Sequence, residues 1–249
     1  MTIRKDLKWK KNGEGFEFYD GESSVDLEDW YEKVNQESLP SHVLESKNPV
    51  IRWEERRRRQ RIVNLILKSN PHEVIADVGC ADGFLSKQLI PYCSKVYCID
   101  LDTNMLELAK KKIASKKAEF IQSNAENIEL PDNSVDVSFA THLLEHLPSP
   151  RKGLKELCRI TKPGGSIILN LPNEKAVLFL KNVIKKLKLN FILGGEFSTE
   201  LAPGHLHVFD KKLLQNTAKG ISIINELSYN PPLYTFMYAR LIPMKKELK

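Results

Sequence analysis

Val74-Ile75-Ala76-Asp77-Val78-Gly79-Cys80-Ala81-Asp82-Gly83 reads as a buried strand that runs into a tight, small-residue turn. Four of the first five residues are apolar, three of them β-branched, and the run stops at a glycine, the pattern of a buried strand. Gly79, Ala81 and Gly83 then alternate with larger residues. Small side chains there let a backbone approach a ligand closely and tolerate positive φ. The dinucleotide fingerprint is G-x-G-x-x-G; this chain has G-x-A-x-G instead, with Asp77 two positions before the first glycine. A carboxylate at that place opposes a pyrophosphate and suits a ligand that carries positive charge.

Outward from this stretch the chain alternates between two kinds of segment. Phe84 to Ile90 reads as a helix, Lys95 to Asp100 as a strand, Asn104 to Lys117 as a helix and Ala118 to Gln122 as a strand. Val135 to Ala140 is a strand, Pro150 to Ile160 a helix and Ser166 to Leu171 a strand. Strands separated by helices of this length predict an α/β fold, a doubly wound, mostly parallel sheet. Ile221 to Tyr229 and Leu233 to Ile242 are separated only by Asn230-Pro231-Pro232. No crossover helix fits between them, so they are expected to pair as an antiparallel hairpin. Pro49 to Lys68 reads as a helix ahead of the first strand.

In an open parallel sheet, ligands bind beyond the carboxyl ends of the strands. Asp100 closes the second strand, 17 residues after Gly83. An acid at that distance is placed to accept hydrogen bonds from a ribose diol. Ser123-Asn124-Ala125-Glu126 follows the third strand, where a purine edge can be read. Two further signals are Thr141-His142-Leu143-Leu144-Glu145-His146, after the fourth strand, and Thr161-Lys162-Pro163-Gly164-Gly165, before the fifth.

Taken in order, these five motifs resemble those of class I S-adenosylmethionine-dependent methyltransferases, and in particular small-molecule enzymes of the ubiquinone-biosynthesis type. The resemblance covers roughly residues 60–172 and the terminal hairpin. It implies a seven-stranded sheet of order 3-2-1-4-5-7-6 with strand 7 antiparallel, and S-adenosyl-L-methionine as cofactor. The implied cofactor residues are Asp77, Gly79, Ala81, Gly83, Asp100, Leu101, Asn124, Ala125 and His142. Ala81 stands where the family has its middle glycine. Asn124 stands where the family has aspartate, and its amide oxygen is expected to accept from the adenine amino group. Asp102 is expected to face away from the ribose site.

For transfer to a hydroxyl, a base is needed, and the candidates are His142, His207 and His205. His146 is read as structural. No metal site is expected: the four cysteines show no CxxC spacing, and His205 and His207 lack a third ligand at a suitable spacing. The function expected is methyl transfer to a small-molecule or lipid-like acceptor at oxygen. The alternatives are an RNA methyltransferase, against which stands the absence of an Asn/Asp-Pro-Pro-Tyr turn after the fourth strand, and a non-catalytic S-adenosylmethionine-binding module.

Composition sets the frame. A chain of 249 residues with 41% hydrophobic and 28% charged residues is ordinary globular material, and no apolar run reaches the roughly 18 residues of a membrane span. Four cysteines without a framework and an N-terminus lacking an apolar core point to a cytoplasmic protein. The net charge is +6. Residues 175–219 hold 8 basic and 3 acidic side chains, the largest local excess.

Three domain-level expectations follow. Residues 1–49 form a docked N-terminal arm with a short helix near 26–36. Residues 50–249 form the catalytic domain. A helical cap is inserted at about 174–209; its basic, amphipathic helix 174–189 covers the site or lies on an anionic membrane, and its charge favours an acidic acceptor. The run Arg56-Arg57-Arg58-Arg59-Gln60-Arg61 follows two glutamates and is read as a solvated helix in preference to a nucleic-acid patch. Oligomeric state is not read from the sequence.

Overall fold

A computed structural model describes residues 8–12, 15–19, 49–69, 74–186, 205–231 and 234–244. An N-terminal hairpin pairs β1 (Lys8–Asn12) with β2 (Gly15–Tyr19). Helix α1 (Pro49–Lys68) leads into β3 (Val74–Val78), α2 (Phe84–Leu89) with a 3-10 turn behind it, and β4 (Lys95–Asp100). Then come α3 (Thr103–Ile113), β5 (Ala118–Gln122), β6 (Val135–Thr141), α4 (Pro150–Ile160) and β7 (Thr161–Pro172). Helix α5 (Glu174–Lys186), α6 (Lys211–Ala218), β8 (Ser222–Tyr229) and β9 (Phe236–Pro243) complete the order.

The seven-stranded sheet runs β5-β4-β3-β6-β7-β9-β8. Counted within that sheet, this is 3-2-1-4-5-7-6. Strands β3 to β7 pair parallel, and β9 is antiparallel to both β7 and β8. Both faces are covered, so the central strands are mostly apolar and their residues divide alternately between two cores. Ile75, Val96, Cys98, Phe139 and Ile168 pack with Ile62 and Ile66 of α1, Leu85 of α2 and Leu106 and Ala109 of α3. Ala76, Val78, Ile99, Ala140, Leu169 and Leu241 pack with Leu154 and Leu157 of α4 and Leu214 of α6.

Helix ends explain where the sequence boundaries moved. Helix α3 stops at Ile113, short of the expected Lys117, because Ala114 turns left-handed with φ 42°. Asp102 is not on the strand at all. It caps α3, its side chain accepting from the amides of Asn104 and Met105. Asp210 likewise caps α6 by accepting from Leu213, and Ser149 caps α4. Strand β7 begins at Thr161, five residues before the expected start. The 161–165 motif lies at that amino end, opposite the ligand edge. Gly165 is required there because an added Cβ would stand 2.5 Å from the Asp136 carbonyl. The short helix near 26–36 and residues 187–204 of the insert lie outside the described residues.

The arginine run on α1 is solvated only in part: Arg56, Arg57 and Gln60 are exposed, while Arg58, Arg59 and Arg61 are engaged. The buried Glu55 carboxylate takes both the Arg58 and Arg59 guanidinium groups at 2.5 Å. Arg59 stacks over Phe84 at 4.1 Å, Arg61 over Tyr238 at 4.6 Å and Arg58 over Phe236 at 5.4 Å. Arg57 and Arg61 also donate to the Pro231 and Tyr229 carbonyls. The guanidinium is planar and weakly hydrated, so it packs on aromatic rings where an ammonium would stay in water. The run therefore fastens α1 to the end of the sheet.

Burial pushes the Glu55 carboxyl up, but the two arginines overcome this and hold it down at about 2. A depressed folded value stabilises above the ordinary carboxyl range, and that stability is lost as pH falls toward 2. Glu55→Ala is expected to destabilise the protein by about 3–5 kcal/mol, the scale for removing one side of a buried ion pair. The urea midpoint should fall with an unchanged slope.

Candidate active site

The loop after β3 is wound in the left-handed region at every second residue: Gly79 has φ 76°, Ala81 φ 45° and Gly83 φ 71°. Ala81 thus holds a conformation that costs a side-chain-bearing residue roughly 1–2 kcal/mol. Its amide donates to Asp100 Oδ2 at 2.8 Å, which fixes the loop in this form. Asp100 Oδ1 accepts the Asp102 amide at 3.0 Å. Both oxygens are oriented by backbone, and each keeps a lone pair for a further donor. Burial raises the Asp100 carboxyl above its ordinary range, while the amides of Asp102 and Ala81 counter this.

Asp77 lies beneath the same loop, almost wholly buried, and accepts the Ser86 hydroxyl at 2.6 Å. Burial pushes its carboxyl up to about 7; the Ser86 hydrogen bond opposes this and the Asp100 and Asp82 charges add to it. A carboxyl in that state favours a positive ligand. Asp82 itself pairs with Lys112 across to α3, a contact that nothing in the spacing signals.

Leu101 is half-buried and Ala125 buried, just beyond the ends of β4 and β5. Asn124 Oδ1 accepts the Glu126 amide at 2.8 Å and closes an Asx turn, which fixes its orientation and leaves one lone pair for a further donor.

His142 follows β6 with φ 52°, an uncommon backbone for a branched ring residue. Such strain persists where the surroundings impose it; here the His142 amide donates to Asn170 at 2.9 Å. Its Nδ1 lies 3.0 Å from Glu145 Oε1, and its ring meets Phe236 edge-on at 5.3 Å. Asn170 also receives Arg58 at 2.6 Å, so α1, β6, β7 and β9 converge on this corner. Burial would push Glu145 up, but the nearby His142, with His146 and His205, holds it at about 2.

The other two candidate bases meet different partners. His207 Nε2 bonds the Leu147 carbonyl at 2.9 Å, and burial lowers its basicity. His205 Nδ1 is paired with the buried Glu174. The structure also brings together Glu145, His146 and His205, with donor atoms within 4.8 Å of one another. The sequence reading missed this cluster because His205 lies some sixty residues from the other two.

Residues 76–169 match the family described as a methyltransferase domain. The ubiquinone biosynthesis O-methyltransferase of Pseudomonas fluorescens is 28% identical over 218 residues, covering 81% of this chain and 82% of that protein. A demethylmenaquinone methyltransferase of Clavibacter sepedonicus is 33% identical over 98 residues, covering 39% and 40%. The crystal structure of N-methyltransferase NodS from Bradyrhizobium japonicum with S-adenosyl-L-homocysteine superposes with a TM-score of 0.58, at 14% identity, over 83% of this chain and 97% of that one. The chain is a class I S-adenosylmethionine-dependent methyltransferase. Its cofactor is S-adenosyl-L-methionine. Among the described residues of the methyltransferase, no helix is long and apolar enough to cross a membrane.

Proposed function

We propose that the enzyme transfers the methyl group to a hydroxyl of a small, apolar acceptor of the quinone type, with His142 taking the hydroxyl proton. Support for oxygen and for this acceptor class comes from the O-methyltransferase relatives. The observation that carries the role of His142 is its setting: a strained position at the carboxyl edge of β6, with Nδ1 held by the buried Glu145 and Nε2 as its other nitrogen.

In the proposed site Asp100 accepts the ribose hydroxyls, Leu101 and Ala125 flank adenine, and the 79–83 loop lies against the methionine end over Asp77. The sulfonium activates the methyl, so the chain's task is alignment, worth roughly 7–11 kcal/mol. The acceptor oxygen forms the new C–O bond as the S–CH3 bond breaks, sulfur keeps the bonding pair, and the proton goes to His142 Nε2. A placed base contributes roughly 10²–10⁴-fold. His142→Gln is therefore expected to lower the transfer rate by about 10²-fold or more while S-adenosylhomocysteine still binds within a few-fold of the parent. An unchanged transfer rate would remove His142 from the chemistry.

Asp77 gives a pH dependence. Its carboxyl is protonated below about 7 in the free protein and must ionise to face a cationic ligand. Cofactor affinity is expected to rise as pH increases toward 7, by up to about tenfold per unit, and to level off above. Titration calorimetry in two buffers of different ionisation heat reads the released proton. Asp77→Asn should flatten the profile.

The segment 174–209 leaves from the carboxyl end of β7, and we read it as the cover on the acceptor side. Glu174 and His205 tie its two ends together.

A further inference from the structure

We propose that Glu145, His146 and His205 form a binding site for a divalent transition-metal ion of the zinc class. One donor atom from each lies within 4.8 Å of the others. Glu145 is fully buried, and neither of its carboxylate oxygens has a hydrogen-bond partner. Its Oε1 lies beside His142 Nδ1 at 3.0 Å, but the alignment is not that of a hydrogen bond. Leaving a buried charge without hydrogen bonds is costly, and a cation between the carboxylate and the two rings removes that cost.

The donor chemistry fits. Two imidazoles and one carboxylate are a zinc set that leaves a fourth position open, with bonds of roughly 2.0–2.2 Å. Donors around such an ion stand roughly 3.4 Å apart, so a modest rotation of the side chains closes the site. The His146 and His205 rings already meet edge-on, with centroids 4.8 Å apart. His205 Nδ1 is paired with Glu174, a residue as buried as the site itself. A carboxylate on one ring nitrogen fixes the tautomer and turns the other nitrogen toward a metal.

The backbone supports the arrangement independently. The Glu145 carbonyl accepts the amides of Leu206 at 2.8 Å and His207 at 3.2 Å. The segment that carries His205 is thus fastened to the loop that carries Glu145 and His146, before any ion binds. A metal here joins the returning end of the insert to the carboxyl edge of β6. The site shares Glu145 with the setting of His142, but its test reads metal binding directly and needs no acceptor.

The experiment is a Zn²⁺ titration of the chelator-stripped full-length protein against a chromophoric competitor, repeated with Co²⁺ to read the visible absorption of a tetrahedral centre. The parent is expected to bind one Zn²⁺ per chain, and His205→Ala and Glu145→Gln each to weaken this about 100-fold or more. Glu174→Gln should weaken it by about 10–100-fold. His207→Ala, whose Nε2 bonds the Leu147 carbonyl, should bind as the parent does. The Co²⁺ band should vanish in His205→Ala, provided its far-UV spectrum matches the parent's. His146→Ala serves in the same way should the Glu145 variant fail to fold. Parent binding no tighter than that of the folded His205→Ala and His146→Ala variants would overturn the proposal. So would Zn²⁺ bound with equal affinity by all of them.

Discussion

Asp100→Ala is expected to weaken S-adenosylhomocysteine binding by about 10–150-fold, equivalent to about 1.5–3 kcal/mol for charge-assisted hydrogen bonds to a carboxylate. Two effects add. The ribose hydroxyls lose their acceptor in the proposed site, and the Ala81 amide loses the oxygen that holds it at 2.8 Å. Ala81 sits at φ 45°, so without that bond the loop is free to relax toward ordinary backbone. Asp100→Asn separates the effects, because an amide oxygen still accepts the Ala81 amide while the charge is gone. Calorimetry should place Asn between the parent and Ala. Asp102→Ala, in contrast, removes a helix cap and is expected to cost about 0.5–2 kcal/mol of stability with a smaller loss of affinity. The reverse order would show that the ribose site lies elsewhere.

Gly83→Ala is expected to be strongly damaging for a single added methyl in the loop. The new Cβ would stand 2.9 Å from Ala109 Cβ, 2.8 Å from Ile113 Cδ1 and 3.3 Å from the Ala109 backbone, at φ 71°. Overpacking costs about 1–3 kcal/mol and the left-handed backbone about 1–2 kcal/mol. The sum corresponds to a fall in melting temperature on the order of 10 °C for a domain of this size. Helix α3 must move away from the loop, so cofactor affinity should fall too. Gly79→Ala meets only the Leu143 side chain at 3.0–3.5 Å. It should cost the backbone part alone, and thermal melts of the two variants make the comparison.

Much of the fold was legible because a parallel sheet buried on both faces leaves continuous apolar runs separated by helices. Val74–Val78 and Val135–Thr141 show this plainly. The hairpin β8–β9 was legible because two prolines and an asparagine leave no room for a crossover. The N-terminal hairpin was missed although Asn12-Gly13 between its strands is a turn signal, because the alternation around it is mostly polar. The arginine run was legible only in part, for a physical reason: charge counts report what a side chain carries, not what it touches. Arg58, Arg59 and Arg61 meet the rings of Phe236, Phe84 and Tyr238, far away in sequence. Asp102 was misplaced because a strand continued two residues too far hides a cap. Within the candidate site, the turn that brings Asp77, Gly79, Gly83 and Asp100 together was legible from spacing. The resemblance gives Asn124 its ligand role, and the turn its oxygen also closes carries no signal of its own in the motif. The grouping of Glu145 and His146 with His205 depends on how the insert returns to the sheet, which no local spacing encodes.

The most direct test of the proposed activity is to incubate the enzyme with S-adenosylmethionine carrying a ¹³C-methyl group and a panel of hydroxylated quinone-type acceptors, and to locate the label by NMR. The expected result is a labelled methyl ether on an acceptor oxygen, formed together with S-adenosylhomocysteine and strongly reduced in His142→Gln. Label appearing only on nitrogen or carbon, or only on RNA added in competition, would contradict it.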